Sequence, residues 1–169
     1  LGVRVLADSP RRSRATGVAW MDDGDETMGV AVLRVAEKSL AGDPLPPPLT
    51  LAQGLPVAAG QKMYLVGYPA RDSRLDDLFA ESVYGGVYDV KRVSCGRMLA
   101  LSDLQVVHDC FTAPGSSGAP VIDLESGQVV GIHLINSPGE GRIALSIASP
   151  QARSFLAALG ISPVAQTAQ

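Results

Sequence analysis

Residues Ala41 to Pro48 hold four prolines and one glycine, and this stretch divides the chain. Proline has no amide hydrogen for a ladder and a fixed φ, so no central strand can run through the segment. It reads as part of a surface connector over residues 41–60. Three strand-like runs precede it: Leu1–Leu6, Thr16–Met21 and Val30–Val35. The signal after it is denser. Met63–Val66 comes first, then Ser82–Val93, interrupted by Gly85-Gly86 as at a bend or bulge. Met98–Leu101 and Leu104–Val107 flank a Ser102-Asp103 turn. Val121-Ile122, Val129–Leu134 and Ile143–Ile147 follow. About six strands suffice to close a small barrel, whereas three supply only about half of one.

The expected fold is therefore all-β: two antiparallel barrels, the first incomplete in this chain, with a C-terminal helix. Residues 1–40 are expected to form the partial N-terminal barrel, 61–148 the C-terminal barrel and 149–160 the helix, leaving 161–169 as a tail. Ser149 suits an N-cap and Pro150 the first helical position. Phe155, Leu156 and Leu159 share a face, and Gly160 can end the helix. A strand-like pattern already present at Leu1 points to further residues upstream.

Composition supports strands. Hydrophobic residues are 46% of the chain but aromatics only 5%, so the core must be aliphatic. The 18 glycines and 12 prolines suit short strands joined by tight turns. The net charge of -3 and the lack of a basic stripe argue against nucleic acid as a partner. Arg11, Arg12 and Arg14 read as a solvated loop. No apolar run approaches the length of a membrane span, so no membrane partner is expected. No spacing suggests a metal site, and no cofactor is expected.

The run with chemical content is Gly115-Ser116-Ser117-Gly118-Ala119-Pro120. Acyl transfer needs a hydroxyl at the tip of a tight turn and amide hydrogens aimed at a developing oxyanion. Flanking glycines allow that turn and a close approach to a carbonyl. The amides of Gly115 and Ser117 are the natural donors. Taken alone, the hexapeptide reads equally well as an ordinary Gly/Ser/Pro loop.

Its surroundings add to it. Gln128-Val129-Val130-Gly131-Ile132-His133 follows the loop. Gly67-Tyr68-Pro69 precedes it, and Ala144-Leu145-Ser146-Ile147 with the 149–160 helix comes last. Together these resemble the trypsin-like (chymotrypsin-fold) serine peptidases, especially the bacterial branch containing the glutamyl endopeptidases, whose nucleophile motif reads G-N-S-G-S-P. The resemblance implies two barrels of the chymotrypsin type, Ser117 as nucleophile, and Gly115 with Ser117 as the oxyanion hole. It places Thr112 and His133 where that branch contacts an acidic P1 side chain. An imidazole and a hydroxyl can both donate to a carboxylate.

The same resemblance exposes a deficit. The position of the family's catalytic Asp falls within Met28–Val35 and is occupied by Gly29. Asp22, Asp23 and Asp25 lie just upstream and would substitute only if that loop folded back. No histidine precedes Gly29. The chain's histidines are His108 and His133, and the resemblance makes His108 structural. The catalytic His is thus unassigned within the chain.

Two functions follow. One is a serine endopeptidase acting on polypeptides, with its base outside the chain and an acidic P1 preference. The other is a degenerate pseudopeptidase binding a protein partner. A structural β-domain with a coincidental loop is a third reading. An esterase is disfavoured, because Gly115-Ser116-Ser117-Gly118-Ala119 lacks the second glycine of a nucleophile elbow in place. Finally, a hairpin about Ser102-Asp103 would set Cys95 opposite Cys110, as a disulfide or as two close thiols.

Overall fold

The computed structural model describes residues 3–5, 13–21, 29–54, 58–71, 73, 76–137 and 141–161. Its centre is a barrel of six strands. These are β4 (Lys62–Gly67), β5 (Arg92–Leu101), β6 (Gln105–His108), β7 (Pro120–Asp123), β8 (Val129–Ser137) and β9 (Gly141–Ser146). The sheet runs β5-β4-β7-β8-β9-β6 and closes through pairing of β5 with β6. Strand β1 (Val3–Val5) adds to the barrel alongside the first half of β5, Val3 opposite Ser94. Strands β2 (Ser13–Met21) and β3 (Ala31–Ser39) form a separate antiparallel pair.

The barrel follows from period-two alternation. On β4, Met63, Leu65 and Gly67 are buried while Lys62 is exposed. Met63, Leu65, Met98, Val106, Cys110, Val121, Val130 and Ala144 make one aliphatic cluster. A second cluster joins Ile122, Val129, Leu145 and Ile147 to Phe155 and Leu156 of helix α2 (Pro150–Ala158), and it includes Val30, the residue just before β3. That residue ties the two-stranded sheet to the barrel.

Helix α2 begins as expected: the Ser149 side chain accepts from the Ala152 amide, and Pro150 opens the first turn. The proline-rich connector is largely exposed. It is pinned to the barrel where Leu51 bridges Val129 and Ala52 is buried, and again where the Gly60 amide donates to the Met98 carbonyl. Residue 161 is described, and the rest of the expected tail lies outside the described residues. So do Arg11, Arg12, Asp22, Asp23 and Asp25.

Two expectations are corrected. Ser82–Val93 is not one strand: Asp77–Tyr84 is helix α1, and β5 starts only at Arg92. Gly85 and Gly86 have φ of 58° and 69°, and Asp89 has 57°, left-handed values that no strand accommodates. Arg92 donates to the carbonyls of Tyr84 and Val87, which secures the end of α1. The second correction concerns the thiols. The turn between β5 and β6 spans Ser102–Gln105, so Ala100 faces Val107, and after a register shift Met98 faces His108, not the expected Val107. Cys95 faces outward and Cys110 inward, and both are free.

Candidate active site

The loop before β7 is two consecutive turns. The Ser116 amide donates to the Ala113 carbonyl at 3.0 Å, and the Ala119 amide donates to the Ser116 carbonyl at 3.1 Å. Gly115 and Gly118 hold the third positions with φ of 87° and 83°, which a turn of this kind requires of its third residue.

These turns orient two amides. The Pro114 carbonyl accepts from the Ala70 amide at 2.8 Å. In a trans peptide the carbonyl and the amide hydrogen point opposite ways, so the Gly115 amide faces away from Ala70. The Ser117 amide likewise opposes the Ser116 carbonyl bonded to Ala119. Among the described residues, neither amide is engaged by a backbone carbonyl. Gly115 also permits contact with the Gly67-Tyr68-Pro69 turn, since a Cβ there would sit 2.6 Å from the Tyr68 oxygen.

Ser117 is exposed, while its neighbour Ser116 is buried. The Ser117 hydroxyl donates to the Leu134 carbonyl at 2.9 Å. It opens on a groove of about 590 Å³ between the two β units. One wall is Gly29 to Leu33, and the other is Ser117, Gly118 and Ile132 to Ile135. The fold therefore brings together Gly29 and Ser117, which lie far apart in sequence. Gly29 is exposed and offers this wall no side chain.

His133 lines the groove but is itself buried, its ring 5.3 Å from that of buried His108. Burial, with Arg142 nearby, pushes His133 down to about 4. Burial, then His133 and Arg142, do the same to His108. Both rings are neutral at pH 7. Nδ1 of each, and Nε2 of His108, have no hydrogen-bond partner among the described residues. Thr112 is buried and donates to Oδ1 of Asn136 at 2.5 Å.

Sequence reasoning passed over Arg142. It pairs across β9 with Asn136 on one side and His108 on the other, and its guanidinium lies 5.5 Å from the centre of the Phe111 ring. The turn residues Ser137-Pro138-Gly139-Glu140-Gly141 were the available signal, because a hairpin there sets 136 opposite 142.

Comparison with known proteins agrees with this architecture. The profile of the trypsin-like peptidase domain matches residues 3–132. No curated protein matches the sequence. Among solved structures, a Glu endopeptidase superposes with a TM-score of 0.61 at 15% identity, covering 94% of this chain and 71% of that one. Neuropsin, a serine protease expressed in the limbic system of mouse brain, gives 0.59 at 14% identity, over 88% and 71%. A scabies mite inactivated protease paralogue gives 0.56 at 13%, over 86% and 67%. At these identities the likeness establishes the fold.

Proposed function

The chain belongs to the trypsin-like peptidase family, and from that premise we propose that it is a serine endopeptidase domain in which Ser117 attacks the scissile carbonyl. The observation that carries the proposal is the exposed Ser117 hydroxyl in a groove between two β units, in a loop whose Gly115 and Ser117 amides no backbone carbonyl among the described residues engages. The substrate lies along this groove. As the carbonyl becomes tetrahedral, its oxygen gains charge and the two amides receive it. One such donor contributes about 3 kcal/mol to transition-state stabilisation. The hydroxyl hydrogen passes to a histidine supplied from outside the chain. His108 and His133 are not assigned that role, since both are buried. Thr112 and His133 flank the P1 side chain, with an acidic preference.

A fluorophosphonate probe tests this reading. Protein extended upstream to include the histidine should be labelled, and Ser117→Ala should not. Absence of labelling, or labelling unchanged in the variant, would overturn it. A peptide library should show Glu or Asp at P1.

Gly29 favours a second reading, a pseudopeptidase that binds a protein partner without cleaving it. Loss of the orienting carboxylate from such a triad costs about ten-thousandfold in rate. The inactivated mite paralogue is a precedent for this fold without activity. Peptide binding without any labelling would select this reading.

A further inference from the structure

Strands β6, β9 and β8 set His108, Arg142 and Asn136 side by side, since each is directly opposite the next. Directly opposed residues in antiparallel strands share a face. His108 is buried and Asn136 exposed, so the row runs from the barrel interior to its rim, with half-buried Arg142 between them. Thr112 reaches the same row through Asn136, and His133 through His108.

This row adjoins the Ser117 loop. The Gly118 amide donates to the His133 carbonyl at 2.8 Å, and the Ser117 hydroxyl to the Leu134 carbonyl. Asn136 is two residues further along, about 7 Å at the rise of a strand. The row thus stands just beyond the Ile132–Ile135 wall of the groove, towards the barrel end of β8 that carries Asn136.

Thr112, Asn136 and Arg142 can all donate here, and Arg142, lying beside the Phe111 ring, is a permanent cation. Arg142 has no ion-pair partner among the described residues; the single pair found there is Arg71 with Asp77. Asp109, the acid adjoining His108 in sequence, accepts instead from the Arg97 amide. Asn136 has its Oδ1 taken by Thr112, which leaves its Nδ2 hydrogens to donate. The two imidazoles are neutral and contribute no charge. A guanidinium beside an amide donor suits a carboxylate, which can accept two parallel hydrogen bonds.

We propose that Arg142 is the specificity-determining residue of this site, pairing with the carboxylate of a P1 Asp or Glu while Asn136 and Thr112 orient it. The inference rests on the reading of the Ser117 groove as a peptide site. It differs in locating the positive charge on β9 and not on His133.

Binding of N-acetyl tetrapeptides ending in Glu, Gln or Lys, measured by calorimetry on the full chain, tests it without requiring turnover. The terminal carboxylate is common to all three and cancels. Glu should bind about 10- to 100-fold more tightly than Gln, the range for a charge-assisted pair. Arg142→Lys should keep a preference for Glu but a smaller one, since an ammonium supplies the charge without the paired hydrogen bonds. Arg142→Gln should reduce it to near unity, and Arg142→Glu should shift preference to Lys, with melting temperatures confirming that each variant is folded. The wild-type ratio should hold from about pH 6 to 8, where a preference borne by an imidazolium would fade with rising pH. A Glu/Gln ratio that survives Arg142→Gln would overturn the role of Arg142 alone. Failure of all three peptides to bind the wild type would overturn the peptide-site reading and this proposal with it.

Discussion

Ser117 and Leu134 are joined by a hydrogen bond of 2.9 Å from the side-chain hydroxyl to the main-chain carbonyl. With the Gly118 amide on His133, it fastens the loop to β8. The hydroxyl hydrogen is thus held by a neutral carbonyl, and an incoming base must take it from there.

Ser117→Ala should therefore remove reactivity without removing structure. The side chain is exposed, so the lost bond should cost under about 1 kcal/mol in urea unfolding. A loss of several kcal/mol would show that Ser117 is chiefly a structural residue.

Gly115→Ala should damage both. Its φ of 87° disfavours a Cβ by about 1–2 kcal/mol, and the Tyr68 oxygen blocks the space. Relief requires rotating the peptide that carries the proposed donor amide. Reactivity towards a fluorophosphonate should fall about 100-fold or more, as for loss of an oxyanion donor. A labelling rate within a few-fold of wild type would rule out that amide as a donor.

Stability should decline in acid before the carboxylates titrate. His108 and His133 are near 4 in the fold against 6.5 when unfolded, so the unfolded chain binds more protons between those values. Stability from keeping them neutral is complete above about pH 6.5, falls as pH drops towards 4, and levels off below. Urea midpoints at pH 7 and 4.5 should differ, and His108→Leu should flatten the slope. A midpoint constant across that window would contradict the burial of the pair.

The thiols should separate chemically. Cys95 is exposed, whereas Cys110 is buried and its thiol is pushed up to about 12, chiefly by burial. Iodoacetamide on native protein should modify Cys95 alone, and Cys110 should react only after denaturation. Mass spectrometry showing both modified under native conditions would refute this arrangement.

Much of the barrel was legible because its signals are local. Alternation on β4, the turns after β5 and β7, and the Ser149-Pro150 helix start each reside within a few residues. The segment at 82–93 was misread because β-forming residues there surround two glycines whose left-handed conformation is invisible in composition. Its helical end is secured by Arg92, bonded to two carbonyls. The thiol pairing failed because the turn spans Ser102–Gln105, one residue beyond the Ser102-Asp103 centre, which sets Ala100 opposite Val107 and leaves the strands out of the expected register.

The chain's own order of residues determined the strand periods, the connector and a glycine-flanked serine, since each depends on torsional preference and near-neighbour spacing. Only tertiary structure decided that Gly29 faces Ser117 across a groove, that both imidazoles are buried, and that Arg142 stands between His108 and Asn136. Those relations come from closing a barrel, which places distant segments edge to edge according to register, and register is settled by the packing of the whole.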